Sequence, residues 1–354
     1  MLSINEFKNI QENLLEWFIE NGRHWIPWKL KQDGTIPQPG ESISPYKIWI
    51  AEVMLQQTQL NIVIPYWEKW MQRFPSLEYL AESDEQEVLF HWKGLGYYAR
   101  AKRVYKSSKF LLGLIGINKN LDPLFWPMEL ERWMELPGIG RSTAGSIISS
   151  AFDLSQPILD GNVKRILCRI FALDQAGCSD TKRLWELSSL LLSSQKPRNF
   201  NQALMDLGAT VCTFKKPKCI LCPLKNYCLA YLQYNPIDFP KKKMKAPIPL
   251  IEIGLGLVFN KYGELLIDQR LENSSMGGMW EFPGGKKESN ESIEKTIERE
   301  LKEELGVDVN VGDKLISFEH RYSHKKLYFT VHICSIKSGE PKPLSCQKFL
   351  WVSP

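Results

Sequence analysis

The sequence predicts a mainly α-helical first part followed by a separate, smaller α+β part. From residue 7 to residue 231, apolar residues recur at spacings of three and four, which is the period of an amphipathic helix. Beyond residue 250, strand-like runs surround one long charged helix. Between the two, residues 235–249 are rich in proline and lysine, which is typical of a semi-rigid linker.

The composition indicates an intracellular globular protein. The 354 residues are 44% hydrophobic and include 12 tryptophans, which excludes a disordered chain. The first twenty residues lack the basic start and apolar core of a signal peptide, and no run is long enough to span a membrane. We therefore expect a cytoplasmic location, nucleoid-associated in a bacterium, with no membrane partner. In that setting the 8 cysteines are better explained as ligands or core thiols than as disulfides.

The net charge of +5 is carried by the first part of the chain, which suits a polyanionic partner.

The predicted elements of the first part begin with an amphipathic helix marked by Phe7, Ile10, Leu14 and Phe18. A polar loop over residues 31–44 follows, and Ser83 to Gln86 has the pattern of a capping box. The same helical period predicts further helices over residues 48–70, 85–92, 99–112, 128–136, 142–152, 163–173, 181–192 and 201–211. In the second part, strands are predicted over residues 250–259, 264–269, 307–318 and 326–336, and a helix over residues 291–305.

A glycine-rich hairpin separates two of the predicted helices. Pro137, Gly138 and Gly140 form a turn that no helix can pass through. The exposed N–H groups of such a turn and of the next helix start can bind a phosphate. Asp160 follows one helix later, just before the helix predicted over residues 163–173. On local sequence alone, an ordinary helical hairpin with an N-cap aspartate remains an alternative.

Four cysteines lie close together near the end of the helical part. Six, two and five residues separate Cys212, Cys219, Cys222 and Cys228, and four thiolates at this spacing can enclose one metal centre. Nearby lysines can offset the negative charge of such a centre. The spacing does not separate zinc from a [4Fe–4S] cluster, and four unrelated core thiols are the alternative.

Together, the hairpin, Asp160 and the cysteine loop resemble the helix-hairpin-helix DNA glycosylases that carry an iron–sulfur cluster loop. The resemblance implies a mainly α two-lobed helix-hairpin-helix glycosylase domain with double-stranded DNA in its cleft and the target base flipped out of the helix. It also implies a [4Fe–4S] cluster rather than zinc on the four cysteines. We assign residues 1–234 to this domain, with the cluster loop at 212–228, and expect a monomer.

Two segments indicate which members of that superfamily are most similar. Residues 52–59 and 94–100 are similar to signatures of the MutY family of adenine glycosylases. Bifunctional members of the superfamily, which also cleave the strand, have a lysine nucleophile just after the hairpin. Ser142 stands at that place here, and its hydroxyl cannot form a Schiff base. The resemblance therefore implies a monofunctional enzyme of base excision repair that removes adenine mispaired with 8-oxoguanine or guanine, rather than a lyase of the endonuclease III type. A non-catalytic DNA-binding protein is disfavoured because both carboxylates that such chemistry needs are present.

The chemistry assigns roles to individual residues. Breaking an N-glycosidic bond passes through an oxocarbenium-like state and calls for two carboxyl groups. Glu52 is set among apolar residues, which suits a protonated general acid. Asp160 lies at a helix start, which suits a carboxylate that stabilises the sugar cation. Asn162 is expected to orient the pair. Taken alone, Glu52 reads as a solvated helix carboxylate. By resemblance, the residues that contact DNA or the lesion are Gln56, Gln57, Tyr97, Pro137, Gly138, Gly140 and Ser142.

The second part, residues 250–354, resembles a Nudix-like α+β domain for recognising 8-oxoguanine. Tyr322, Ser323 and His324 match its lesion-reading loop, although Tyr322 replaces a usual phenylalanine and an exposed polar hairpin is the alternative. Compared with the family the domain is short at its end. Unlike most relatives it keeps a full Nudix box, in which three carboxylates share one predicted helix face and can hold Mg²⁺: Glu300, Glu303 and Glu304. A glycosylase fused to an active 8-oxo-dGTP diphosphatase is thus the alternative function.

Overall fold

The computed structural model describes residues 3–116, 123–240, 248–274, 276–322 and 325–354. The chain forms two compact units, Met1–Lys242 and Lys243–Pro354, each with its own fold. None of the helices described combines the length and the apolar character that crossing a membrane requires.

The first unit is helical. Short 3-10 turns connect some of its helices, and two of these turns, Cys219–Leu221 and Lys225–Tyr227, lie within the cysteine loop. The α-helices are α1 (Ile4–Asn21), α2 (Pro45–Leu55), α3 (Leu60–Arg73), α4 (Leu77–Glu82), α5 (Glu85–Trp92), α6 (Ala99–Ile115), α7 (Leu130–Met134), α8 (Arg141–Phe152), α9 (Gly161–Ile170), α10 (Gln175–Ser179), α11 (Thr181–Leu191), α12 (Pro197–Thr210) and α13 (Leu229–Gln233).

Two groups of helices make up this unit. In the first, α2 to α6 pack around large aromatic side chains, of which Trp70 lies edge-on to Trp92 with ring centroids 5.5 Å apart. In the second, α1, α9, α11 and α12 pack around fully buried Leu14, Leu167 and Leu184. Helix α8 contacts both α2 and α12 and so joins the groups. Burying these apolar faces is the main force that holds the helices together.

The helix predicted over residues 48–70 is wrong as a single element. The structure divides it into α2 and α3 at residues 56–59, where Gln57 has a φ of 59°. Apolar spacing continues across this break, so periodicity does not reveal it. The predicted capping box at Ser83 is also wrong, because the Ser83 hydroxyl donates to the carbonyl of Leu80. A capping box is instead formed by Ser3 and Glu6 at the start of α1.

The second unit is a sheet with one helix packed on it. The helix α14 (Ile293–Leu305) begins at an Ser292 N-cap and ends at Gly306, whose φ of 72° suits glycine. Its residues Ile297 and Leu301 share a core with Val258 of the sheet. The strands are β1 (Leu250–Phe259), β2 (Leu265–Gln269), β3 (Trp280–Glu281), β4 (Gly284–Lys286), β5 (Asp308–Arg321), β6 (Lys326–Ser338) and β7 (Lys348–Val352).

The strand order is β3-β2-β1-β6-β5, with β4 beside β1 and β7 beside β2. Strands β1 and β6 are parallel, and the other pairs are antiparallel. The predicted strands lie within a few residues of β1, β2, β5 and β6. The sequence did not predict β3, β4 and β7. Strands β3 and β4 have only two and three residues, too few to show alternation. The mainly α class of the first part and the α+β class of the second are confirmed.

Candidate active site

The Glu52 carboxyl lies near the C-terminal end of α2. This helix starts where Ser44 accepts a hydrogen bond from Lys47 N and Pro45 occupies the first helical position. Glu52 is half-buried, and its Oε1 accepts a hydrogen bond from the Ser146 hydroxyl of α8 at 2.8 Å. Burial, together with the charge of Asp160, raises the pKa of Glu52 to about 7. This carboxyl can therefore hold a proton near neutral pH and release it to a bound group.

Asp160 is the N-cap of α9. Its Oδ1 accepts from Val163 N at 2.8 Å, and its Oδ2 accepts from the Asn162 side-chain amide at 3.1 Å. The segment before it is held by Ser142, whose hydroxyl oxygen accepts from Leu159 N at 2.9 Å. These contacts hold the Asp160 carboxyl at the start of α9, where the positive end of the helix dipole lies.

A chain of hydrogen bonds runs from Asp160 to the cysteine loop. The oxygen of the Asn162 amide accepts from Arg165 Nη2 at 2.8 Å, and Arg165 Nε donates to the carbonyl of Cys212 at 2.8 Å. Gly208 of α12 packs against this chain, since a Cβ added there would lie 2.5 Å from the Cβ of Asn162. The amide of Asn162 is thus held on both sides, by Arg165 and by the close approach of α12.

The glycine-rich hairpin lies between α7 and α8. Gly138 has a φ of 85°, which strongly favours glycine, and Gly140 is the N-cap of α8 without a capping side chain. The side-chain amide of Gln56 donates to the carbonyl of Gly138 at 3.2 Å. Pro137, Gly138 and Gln56 line a small cleft together with Arg103. The backbone N–H groups at the start of α8 are therefore unmasked by a capping side chain and can receive a phosphate oxygen.

The structure brings some of the predicted residues to one cavity and leaves others outside it. The cavity lies where α2, α8, α9 and α12 meet. It is lined by the predicted residues Glu52, Gln56, Gln57, Ser142, Asp160 and Asn162. Tyr97, Pro137, Gly138 and Gly140 are not part of that lining. Tyr97 lies in the loop before α6 and is 45% exposed.

Sequence reasoning missed several residues of this site. Ser146 binds the Glu52 carboxyl, Arg165 binds Asn162, and Gly208 leaves room for Asn162. A glycine inside the predicted helix over residues 201–211 was a usable signal, because glycine in a helix interior often has a packing reason. Ser146 on α8 and Arg165 on α9 have no comparable signal in the local sequence.

The four cysteines of the loop line one cavity with Arg169. Arg169 is buried, and its guanidinium donates to the Cys212 sulfur at 3.2 Å and to the Thr213 carbonyl at 2.8 Å. All four thiols are free. Across the described ranges, no three or more His, Cys, Asp or Glu side chains are drawn together closely enough to hold a metal ion. Four soft thiol donors around one cavity, with a cation beside them, nevertheless match the donor set of a thiolate-ligated metal centre.

Two other cysteines correct an expectation. Cys168 of α9 and Cys178 of α10 form a disulfide, whereas the composition favoured ligands or core thiols for every cysteine. Both residues are buried in the core of the second helix group. Sequence spacing gave no signal for this pair, because a contact between the two helices decides it.

In the second unit, one arginine neutralises most of the predicted acidic face. Arg299 lies 2.9 Å from Glu291, 3.0 Å from Glu300 and 3.2 Å from Glu303. Glu304 accepts a hydrogen bond from Gly284 N at 3.2 Å. All three predicted carboxylates lie on α14, and their role as a magnesium site stays a prediction.

Glu304 also lies close to a second, more buried acidic group. Burial and the charge of Asp268 raise the pKa of Glu304 to about 8, and burial and the charge of Glu281 raise that of Asp268 to about 6. Asp268 is 1% exposed, and its Oδ1 has no hydrogen-bond partner among the described residues. An orphaned buried oxygen of this kind calls for a proton, a water molecule or a cation.

Comparisons with known proteins agree with this geometry. A family model described as "HhH-GPD superfamily base excision DNA repair protein" matches residues 50–190, and a NUDIX domain model matches residues 254–354. The adenine DNA glycosylase of Buchnera aphidicola from Schizaphis graminum is 38% identical over 328 residues, which are 91% of this chain and 85% of the relative. That of the Buchnera strain from Acyrthosiphon pisum is 34% identical and covers 90% and 83% of the two chains.

A solved structure agrees on the fold of the first unit. A thermostable thymine-DNA glycosylase superposes with a TM-score of 0.54 at 24% identity, over 64% of this chain and 97% of its own. This likeness concerns the fold alone. The sequence relatives, which match nearly the whole chain, decide the family. The chain belongs to the adenine DNA glycosylase family, whose members are DNA glycosylases of base excision repair.

Proposed function

We propose that this enzyme hydrolyses the N-glycosidic bond of adenine mispaired with 8-oxoguanine or guanine, without lyase activity. The observation that carries the proposal is the Glu52 carboxyl, whose pKa is raised to about 7 and which lines one cavity with Asp160. A neutral acid beside a carboxylate is the pair that departure of a base from its sugar requires.

In the proposed step, Glu52 donates its proton to a ring nitrogen of adenine as the bond between that base and the sugar breaks. The bonding electrons leave with the adenine, and Asp160 stabilises the positive charge that develops on the sugar. Water then adds hydroxide to the sugar carbon, and its remaining proton restores Glu52. Asn162 keeps Asp160 in place through the hydrogen bond at 3.1 Å.

The proposed DNA contacts form two sets: residues that bind the phosphate backbone, and residues that insert into the duplex, which we call the wedge. Pro137, Gly138 and Gly140, with the start of α8, would hold the backbone, since unpaired N–H groups at a helix start attract phosphate. Gln56, Gln57 and Tyr97 would enter the duplex beside the target pair and replace the stacking that is lost when the base flips. Ser142 would act through the Leu159 segment that it holds.

Recognition of 8-oxoguanine is proposed for the tip of the β5–β6 hairpin. Tyr322 follows β5, its N–H donates to Lys325 O at 2.9 Å, and its ring lies 4.7 Å from that of His320. A fixed aromatic ring at a hairpin tip can stack on a base. Ser323 and His324, the other predicted residues of this loop, lie outside the described residues.

Product analysis tests both parts of this proposal. On duplexes with adenine opposite 8-oxoguanine, we expect free adenine and an intact strand that breaks only after alkali, because Ser142 has no amine to form a Schiff base. Release should be slower opposite guanine, and Tyr322→Ala should shrink that preference. Prompt strand cleavage in step with adenine release would contradict the monofunctional reading. An unchanged preference in Tyr322→Ala would contradict the role of the hairpin.

We further propose that Cys212, Cys219, Cys222 and Cys228 hold a [4Fe–4S] cluster. The support is that all four thiols line one cavity beside Arg169, whose charge would offset that of the cluster. When bound, the cluster would order the loop and position Arg165, which contacts the Cys212 carbonyl.

Analysis of purified protein checks the cluster. We expect about four iron and four acid-labile sulfide per chain, the composition of one [4Fe–4S] centre. Cys222→Ser should lower both together. Stoichiometric zinc in protein made with ample iron would show that the thiols hold a different metal.

A second candidate function rests on the orphaned oxygen of Asp268. We propose that Mg²⁺ binds the second unit through Glu304 and Asp268, with Glu300 and Glu303 contributing once Arg299 is displaced. Hydrolysis of 8-oxo-dGTP should be slow or absent, because Arg299 occupies two of these carboxylates.

Calorimetric titration of the full chain with Mg²⁺ measures this binding, with Asp268→Asn as the variant and Asp313→Asn on β5 as the matched control. We expect binding to weaken in Asp268→Asn only. Rapid 8-oxo-dGTP hydrolysis that Glu303→Gln abolishes would instead favour a fused diphosphatase. If the wild-type chain shows no heat of Mg²⁺ binding, the proposed magnesium site is wrong.

The domain bounds, the oligomeric state and the location are also proposals. We place the glycosylase domain at residues 1–234, the linker at 235–249 and the lesion-recognition domain at 250–354. We propose that the chain acts on double-stranded DNA as a monomer, at the nucleoid if the source is a bacterium.

A further inference from the structure

Two residues of the proposed DNA contacts have a backbone conformation that residues other than glycine rarely adopt. Gln57 has a φ of 59° and Tyr97 a φ of 49°. Both are exposed, so packing of their own side chains does not hold the strained backbone. Strained residues at functional sites persist only where the surroundings determine their conformation.

The turn that contains Gln57 is held by Arg100. Arg100 is the second residue of α6 and is 5% exposed. Its Nη1 donates to three carbonyls at the end of α2 and in the turn after it, those of Val53, Met54 and Gln56. Its Nη2 donates to the hydroxyl of Thr58 at 3.1 Å. Gln57 therefore lies between two residues that the same guanidinium holds.

The same guanidinium also holds the second turn. Arg100 Nη2 donates to the carbonyls of Leu95 and Gly96 at 3.3 and 3.2 Å, immediately before Tyr97. Its Cζ lies 5.4 Å from the ring centroid of Tyr97 and 5.4 Å from that of Trp92. Both strained turns are thus joined through one side chain.

Only arginine can make this set of contacts. The guanidinium is planar and presents five donors in a rigid fork, whereas a lysine ammonium presents one nitrogen on a flexible stem. Carbonyls in the last turn of a helix lack part of their usual intrahelical partners, so a cation at the end of α2 supplies additional donors to them. Six acceptors from two separate segments cannot be reached from a single nitrogen position.

We infer that Arg100 is a positioning residue that locks the turns of Gln57 and Tyr97 into one rigid unit, so that both side chains are preorganised to enter the duplex. The inference rests on the wedge role proposed above for these two residues. Preorganisation lowers the cost of ordering the wedge when DNA binds. Loss of Arg100 therefore weakens unstacking of the target base without removing a group that touches the reacting atoms.

Arg100→Lys tests the inference, with Arg198→Lys as the matched control. Arg198 is also buried, at 3% exposure, and donates to main-chain carbonyls, including those of Ser150 and Ala151, away from the cavity. Both variants remove a buried guanidinium, so similar losses of thermal stability are expected. Only Arg100→Lys should alter the response to DNA.

The readout is stopped-flow fluorescence of a duplex that carries 2-aminopurine beside an adenine mispaired with guanine, because unstacking raises the emission of this probe. We expect the rise to be lost in Arg100→Lys and kept in Arg198→Lys, with single-turnover adenine release lowered about 100-fold in the former. Thr58→Val, which removes one acceptor and keeps the arginine, should reduce the rise partially. An unchanged rise in both Arg100→Lys and Thr58→Val would overturn the inference.

Gln57→Ala and Tyr97→Ala separate this inference from the proposal on which it rests. If neither alanine variant changes the fluorescence rise, the wedge role itself is wrong. If they abolish it and Arg100→Lys does not, the wedge is correct and the lock is wrong. In the background of both alanines, Arg100→Lys should have little further effect on adenine release, since residues that act as a unit are not additive.

Discussion

Asp160→Asn is expected to lower the single-turnover rate of adenine release by about 10³-fold, while binding to the mispaired duplex changes little. The variant keeps the size of the side chain and removes the charge that faces the developing cation. Asparagine is also a good N-cap, so its oxygen can still accept from Val163 N, and α9 should form as before. The measurement is quenched-flow release of adenine, with binding followed by fluorescence anisotropy.

Asp180→Asn provides the matched control. Asp180 is the N-cap of α11 and accepts from Arg183 N in the same way, but it is exposed and lies outside the cavity. We expect its variant to release adenine at the normal rate. Near-normal turnover by Asp160→Asn would remove this carboxylate from the reaction, and an equal loss in both variants would point to a general effect of altered caps.

Glu52→Gln is expected to lower the same rate by about 10²- to 10⁴-fold, the range that general acid catalysis contributes. Glutamine cannot supply the proton, but its oxygen can still accept from the Ser146 hydroxyl, which is now 2.8 Å from Glu52 Oε1. The loss should therefore come from chemistry rather than from the fold. Glu68→Gln, at an exposed position of α3, is the control and should keep full activity.

The pH dependence of the wild-type enzyme follows from the same group. Glu52 must be protonated to act, and its pKa is raised to about 7. The rate of adenine release should be level below that pH and should fall about tenfold per unit above it. This alkaline limb should be missing from the residual activity of Glu52→Gln. A wild-type rate that stays level to pH 9 would contradict the role of Glu52 as the acid.

Stability should depend on pH with a definite sign. Burial raises the pKa of Glu52 above its ordinary value, so the folded chain binds this proton more tightly than the unfolded chain. The contribution to stability is complete below the ordinary glutamate pKa and is lost as the pH rises toward about 7. Glu52→Gln removes this loss, so thermal unfolding should show it to be no less stable than wild type above neutral pH.

Much of the fold could be predicted because its signals are local. Amphipathic period and proline-rich composition separate the helical part from the α+β part, and neighbouring residues alone determine both. The start of α9 is also readable, since Asp160 followed by Gly161 and Asn162 is a strong N-cap pattern. The break after Gln56 is not readable, because Arg100, 44 residues later, holds the carbonyls that end α2.

The candidate site shows the same division. The sequence by itself determined the family, the fold class and which carboxyl groups are available. Only the tertiary structure decided that Ser146, 94 residues from Glu52 along the chain, binds its carboxyl, and that burial raises the pKa of this group to about 7. It also decided that Arg299 covers the acidic face of α14 and that Gly208 leaves room for Asn162. The reason is that desolvation, charge and close packing depend on neighbours in space, whereas periodicity and capping depend on neighbours in sequence.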